Sequence, residues 1–350
     1  MRSTLAALVL SLSAIAAPPA AVSSPQDAPP PAAARRNADL EERIRAVLAP
    51  AAGVYGVSVK HVERNERADW NPDQRFQMAS VFKVPILIEL FDQARSGRVS
   101  LDQRVEWRQP ERYFGSGVLT YLQPGLRPTV HDLAVLMITL SDNAATDMLC
   151  DLLGIANVNA RLRALGASHT SIEGGTRDLI LWAVGLRGEQ YRGLKRGDKL
   201  LESASEQERK ATQRWFLEQC PNCTTPADMT SIFEKLLKGE AGDPQSTEEM
   251  LRILSRQQFN QRLPRWLPEG VRADHKTGSL GAPVWVINDA GILYLPGGQH
   301  VIVSAFGRGV EGQELSPAAR KLSTAAAEAA IADVARTVWD YYTVGARDAR

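Results

Sequence analysis

In residues 76–87, with the sequence FQMASVFKVPIL, a serine and a lysine stand three positions apart at the opening of an apolar run. The run continues through Leu90, Phe91 and Ala94 and stops at Gly97. It reads as a mostly buried helix with Pro85 in its first turn, where a missing N–H costs nothing. Positions i and i+3 share a helix face, which brings the Lys83 amine to the Ser80 hydroxyl. The helix start adds unpaired N–H groups and a positive dipole end, which favour an alkoxide or oxyanion at Ser80. A serine can become a nucleophile in this way without a histidine. Taken alone, the tetrapeptide also fits a serine cap followed by a surface lysine.

Two later stretches give it context. Ser141-Asp142-Asn143 closes an apolar, helix-like run over 133–140, and Lys276-Thr277-Gly278 follows Val271-Arg272-Ala273-Asp274-His275. S-x-x-K, S-D-N and K-T-G, in that order, resemble the signature set of the serine β-lactamase and penicillin-recognising superfamily, most closely the class A type. The resemblance runs from about Val54 to the C-terminus. It implies a serine hydrolase that forms an acyl-enzyme at Ser80 and opens the amide bond of β-lactams. Lys83, neutral or sharing a proton, is then the candidate base, because desolvation and neighbouring cations lower a lysine pKa. Ser141 relays the proton to the leaving nitrogen, and Asn143 holds a substrate side-chain amide. Lys276 keeps a positive charge near the substrate carboxylate, with the Thr277 and Ser279 hydroxyls as further carboxylate ligands around Gly278. The oxyanion hole is expected from the backbone N–H groups of Ser80 and Ser279, donors of a kind that often dominate acyl transfer. Neither a metal nor a cofactor is required. The substrate is a small molecule, a β-lactam or a D-Ala-terminated peptide, and the protein is expected to act as a monomer.

These residues need elements to position them. The chain has 350 residues, and its 41 Lys and Arg balance 40 Asp and Glu, so no basic surplus points to nucleic acid. Residues 1–21 read as a secretory signal: Arg2, an apolar stretch over 5–17, and small residues at Ala14, Ala16, Ala20 and Ala21. The stretch is too short to span a bilayer, and no cysteine near the cleavage site suggests a lipid anchor, so a periplasmic or secreted protein is expected. Residues 22–36, rich in Pro, Ala and Ser, read as a disordered leader.

The catalytic domain is expected over 37–345. A helix over 38–48 precedes strands at 54–62 and 67–70. Three more strands are expected at 273–279, 284–295 and 300–306, and a long helix from Ser316-Pro317 to about Tyr342. The fold class is therefore α/β: a mostly antiparallel five-stranded sheet flanked by N- and C-terminal helices, formed by 37–75 and 265–345. A mainly helical part fills 76–264, with the site in the cleft between the two. Within it, Thr129-x-x-Asp132 reads as a capping box. Further helices are expected at 144–153, closed by Gly154, at 226–237 behind a Thr225 cap, and at 248–259. The loop-rich stretch 99–128 contains Tyr113, either a gate at one rim of the site or part of a turn whose aromatics cover the helical part. Of three cysteines, Cys150 reads as core, while Cys220-Pro221-Asn222-Cys223 suits a local disulfide in an exported protein.

One region does not fit. Class A enzymes carry a Glu-x-x-Leu-Asn motif whose glutamate activates the deacylating water, and no such motif is found here. The segment over about 177–222 is instead longer than the family usually has and includes a helix-like run at 204–219. Arg214-Trp215 is similar to the family's pair before its glutamate, yet Phe216 follows. Glu218 and Asn222 have the Glu-to-Asn spacing two positions late, so Glu218 is either the base or an ordinary helix-end charge. A class A-like β-lactamase is the leading expectation. A D-Ala-D-Ala-type peptidase or transpeptidase-like protein, or a non-hydrolytic penicillin-binding sensor, are the alternatives.

Overall fold

Alternation of apolar side chains builds a sheet that is covered on both faces. The computed structural model describes residues 33–108, 115–194, 198–313 and 315–344. The expected signal, most of the expected leader and Tyr113 lie outside these residues. The sheet contains β1 (Arg35–Arg36), β2 (Val54–His61), β3 (Glu66–Trp70), β6 (Ala273–Leu280), β7 (Val286–Leu295) and β8 (Gln299–Arg308). Their order is β1-β3-β2-β8-β7-β6, antiparallel throughout except for β1 against β3. The sheet thus has six strands rather than five. Arg35 and Arg36, read above as the end of the leader, pair with Glu66 and Arg67 instead, and Arg35 forms an ion pair with Glu66. Strands β7 and β8 join at Pro296-Gly297-Gly298, where both glycines take positive φ, a turn conformation glycine adopts without steric cost.

Two cores follow from the two faces. On β8, Val301, Val303 and Ala305 point to one side, against α1 (Ala38–Leu48) and α10 (Pro317–Thr343). Ile302 and Phe306 point to the other, against the helical part. That part consists of α2 (Lys83–Arg95), α3 (Val130–Thr139), α4 (Asn143–Leu153), α5 (Ile155–Ala164), α6 (Thr176–Ala183), α7 (Glu206–Gln219), α8 (Pro226–Leu237) and α9 (Pro244–Leu254). Among the described residues, no helix is long and apolar enough to cross a membrane.

Local signals set the helix ends. Thr129 and Asp132 form a reciprocal capping box on α3, and Gly154, at φ +78°, closes α4. Thr225 caps α8, with Pro226 at its first position. Helix α9 begins four residues earlier than the sequence reading and stops at Leu254. Asp243 accepts from Ser246 N and Pro244 takes the first position, so the start signal lay upstream of the apolar pattern.

Candidate active site

The turn that carries Ser80 is held from three sides. Strand β4 (Phe76–Gln77) pairs with β5 (Cys223–Thr224). Met78 N donates to the Asn222 carbonyl at 2.9 Å. The Asn288 side-chain amide of β7 donates to the carbonyls of Gln77 and Met78 at 2.8 and 3.0 Å. These contacts fix Ala79 at φ +46°, a left-handed conformation that costs a non-glycine residue about 1–2 kcal/mol. Residues 79–82 then form a 3₁₀ turn that runs into α2. In such a turn positions i and i+3 eclipse, so Ser80 and Lys83 share a face, and Pro85 lies in the first turn of α2 as expected.

Lys83 is fully buried. Its Nζ donates to Ser141 O at 2.8 Å, Ser141 Oγ at 3.1 Å and Asn143 Oδ1 at 2.8 Å. Burial brings its pKa down to about 7, against the opposing pull of the Asp147 and Asp142 carboxylates. A neutral amine has two N–H groups and one lone pair. The three bonds above use the three N–H groups of the charged amine; in the neutral form one must reverse, and of the three partners only the Ser141 hydroxyl can donate, since the Ser141 carbonyl and the Asn143 amide oxygen only accept. The Ser141 hydroxyl and the Lys83 amine can therefore pass a proton between them, in the cleft that Ser80 also lines.

The S-D-N segment is as constrained as the Ser80 turn. Ser141 has φ +52°, again left-handed. Ser116 Oγ donates to its carbonyl at 2.7 Å, and Asn143 N donates to Ser116 O at 3.0 Å. Asp142 caps α4 through Ala145 N and also accepts from Val118 N and Leu119 N at 2.6 and 2.9 Å. It thus ties the 116–119 loop to the helix that delivers Asn143.

On the opposite side β6 forms the sheet edge. Gly278 passes so close to the Ser80 turn that a methyl group there would collide with the Met78 carbonyl and lie 3.1 Å from Ser80 N. Lys276 is fully buried, and its Nζ donates to Thr277 O at 2.9 Å. Burial, reinforced by Lys83 and Arg262, pushes its pKa well below the usual lysine value, while Asp289 pulls the other way. Arg262, also buried, braces the strand. Its Nη1 donates to Gly278 O at 2.9 Å and Asn288 O at 2.6 Å, and its Nη2 to Ser279 Oγ and to Glu328 of α10.

The resulting cleft has a volume of about 320 Å³. Ser80, Ser141, Asn143, Thr277 and Ser279 line it, while Lys83 and Lys276 are fully buried and, like Gly278, do not line it. Arg262 and Glu328 also line it, and the sequence reading missed both: neither belongs to a motif, and only the fold brings them to β6. Asp147, missed as well, accepts from Thr176 N, Thr176 Oγ1 and Arg177 N, which fixes the start of α6 at the cleft wall. Glu218 sits on α7, exposed, and does not line the cleft; Phe216 is buried. Cys220 and Cys223 are joined by a disulfide, and Cys150 is a buried thiol in α4.

Comparison with known proteins agrees with this arrangement. The model of the β-lactamase enzyme family matches residues 39–342. Beta-lactamase VEB-1 of Pseudomonas aeruginosa is 24% identical over 320 residues, covering 87% of this chain and 90% of that protein. The crystal structure of a β-lactamase from Sphaerobacter thermophilus is 28% identical, covers 88% of this chain and 97% of that one, and superposes with a TM-score of 0.67. The structure of PBP-A is 25% identical, covers 89% and 98% respectively, and gives a TM-score of 0.68.

Proposed function

Because the chain belongs to the β-lactamase enzyme family, of the class A type, we propose that it forms an acyl-enzyme at Ser80 and hydrolyses the amide bond of β-lactams. The observation that carries this reading is the buried Lys83 amine, bonded to Ser141 and Asn143, with a pKa brought down by burial to about 7. Ser80 Oγ attacks the lactam carbonyl carbon, and its proton passes to Lys83 Nζ. The oxyanion lies between the backbone N–H groups of Ser80 and Ser279. As the C–N bond breaks, the nitrogen takes a proton from the Ser141 hydroxyl, which Lys83 restores. Lys276, Arg262, Thr277 and Ser279 receive the substrate carboxylate, which offsets the cost of charge on buried Lys276. Water then cleaves the ester. A secretory signal over 1–21 would deliver this activity to the periplasm or the medium.

A second reading keeps the acylation and changes its fate. Glu328 is the one carboxylate among the described residues that line the cleft, and it is bonded to Arg262. The wall from α6 presents Thr176, Leu179 and Ile180. A wall without a water-activating carboxylate favours a D-Ala-D-Ala-type peptidase or transpeptidase that releases penicillins slowly. Turnover of a chromogenic cephalosporin, measured beside mass spectrometry of the protein, separates the readings. Rapid turnover without an adduct supports the first. A long-lived adduct supports the second. Absence of both, or an adduct that persists in Ser80→Ala, refutes acylation at Ser80.

A further inference from the structure

Between α9 and β6 the chain crosses from the helical part to the sheet, and residues 257–263 of that crossing form a strap tied down at both ends. Gln257, buried, donates from Nε2 to Ile138 O at 3.0 Å, and Gln258 N donates to Thr139 O at 3.1 Å. Both acceptors belong to the last turn of α3, just ahead of Ser141. The Gln257 amide oxygen turns back to accept from Gln258 N and Phe259 N at 3.0 and 3.1 Å. At the other end Leu263 is buried in the core beside α1 and α10, and its N–H donates to Asp289 Oδ2 of β7 at 3.1 Å. Between these anchors Phe259, Gln261 and Arg262 line the cleft.

The middle of the strap meets a buried histidine that the chemistry above does not use. His275 of β6 places Nδ1 at 2.9 and 3.0 Å from the two Asp289 carboxylate oxygens and Nε2 at 3.1 Å from Asn260 Oδ1. A carboxylate only accepts, so Nδ1 carries a proton. Across the ladder His275 faces Gly291, where a methyl group would collide with His275 Cβ. Asp289 is fully buried, and a buried carboxylate is costly unless it is hydrogen-bonded. One imidazole thus satisfies Asp289, which holds the strap just after Arg262, and meets Asn260, which lies just before it.

We infer that His275 is a positioning residue: it pins the strap on both sides of Arg262 and so fixes where that guanidinium meets a substrate carboxylate. The inference rests on the proposed acylation at Ser80 and on Arg262 as a carboxylate ligand. Without the imidazole, Asn260 loses its contact with β6, and Asp289 loses the donor that faces both of its oxygens. The backbone that carries Arg262 can then shift, and a binding group misplaced by about 1 Å can cost on the order of 100-fold in rate. A substrate without a carboxylate makes no use of Arg262 and does not register the shift.

The test uses a chromogenic cephalosporin and its methyl ester, each mixed with protein in excess. The colour change then reports lactam opening whether the adduct persists or is hydrolysed. The wild type should open the acid at least about 10-fold faster than the ester, the scale of one charge-assisted contact. His275→Ala should slow the acid by about 10-fold and leave the ester within about 2-fold of wild type. In an Arg262→Ala background the same replacement should change the acid rate by less than about 2-fold, because residues that act through one another are not additive. Asn260 is exposed, so Asn260→Ala loosens the strap without emptying a buried position; it should slow the acid about 3-fold and leave the ester unchanged. Equal slowing of acid and ester in His275→Ala, an additive loss in the Arg262→Ala background, or an unchanged acid rate in Asn260→Ala would overturn the inference while leaving acylation at Ser80 intact. Equal wild-type rates for acid and ester would remove Arg262 as a carboxylate ligand and the inference with it. A wild type that opens neither compound, or a Ser80→Ala variant that opens both as fast, would instead refute the proposed function itself.

Discussion

Lys83 shows how one residue is tuned by its place in the fold. Burial lowers its pKa to about 7 from 10.5, so its base form grows as pH rises through neutrality. Labelling by a fluorescent penicillin should therefore accelerate about 10-fold per unit below pH 6 and level off above about pH 8, as expected when one general base must be deprotonated. A rate independent of pH across this range would remove Lys83 from the base role. The same shift has a stability consequence. The unfolded chain holds this proton up to about 10.5, so the buried amine costs stability below about pH 7, and that cost is relieved as pH rises from 7 towards 10.5. Ser80→Ala should abolish labelling while circular dichroism and melting stay those of the wild type. For Lys276, replacement by Ala deletes a charge-assisted contact worth about 1.5–3 kcal/mol, or roughly 10- to 150-fold in acylation. That loss should appear with penicillins and not with a carboxylate-free ester; an equal loss for both would contradict the assignment. Ser80, Lys83, Ser141, Asn143 and the 276–279 stretch were legible in the sequence because each sits in a short contiguous motif. Arg262, Glu328, Asp147 and Asn288 were not. Each meets the site from a distant element, and a lone Arg, Glu, Asp or Asn carries no spacing signal of its own.

At the scale of elements, strand alternation, capping residues and Gly–Pro punctuation made most boundaries readable, and α3, α4 and α8 run essentially where their caps predict. What could not be read was pairing. Strands β4 and β5 are two residues each, too short for any periodicity, yet their pairing brings Cys220–Cys223 beside the nucleophile turn. Strand β1 is equally short, and its partner β3 alone reveals it. The disulfide closes only a four-residue loop at the end of α7, where Cys220 and Asn222 both take positive φ. By loop-closure entropy such a link contributes about 2 kcal/mol, which for about 300 ordered residues corresponds to roughly 3 °C in melting temperature. Calorimetry of Cys220→Ser/Cys223→Ser should record that drop. An unchanged melting temperature would show that the β4–β5 pairing and the Asn222 contacts hold the segment alone. Those contacts are substantial: the Asn222 side chain accepts from Glu173 N and Gly174 N and donates to Gly174 O. One buried residue thus ties the nucleophile turn to the approach of α6.

On the proposed function, the whole molecule divides the reaction between its two packed halves. The helical part carries Ser80, Lys83, Ser141 and Asn143, and the sheet edge carries Lys276, Thr277 and Ser279, so the proposed acylation draws on both faces of the cleft at once. In the proposed reaction deacylation depends on what the third side offers, and that side is the cleft wall from α6. Glu218 lies on α7, exposed, with no place in the cleft lining. A general base must come within about 3 Å of the proton it takes, or reach it through one water. Glu218→Gln should therefore leave both acylation and deacylation within about 2-fold of wild type, whereas loss of a true general base slows its step by at least about 100-fold. Pre-steady-state kinetics with a chromogenic cephalosporin measure both phases in one trace. If deacylation alone collapses in Glu218→Gln, α7 must swing over Ser80 during the cycle, and the α6 side is a lid instead of a fixed wall. If neither phase moves, Lys83 and Ser141 are left to serve both half-reactions, and the lifetime of the acyl-enzyme decides whether this protein destroys lactams or is merely trapped by them.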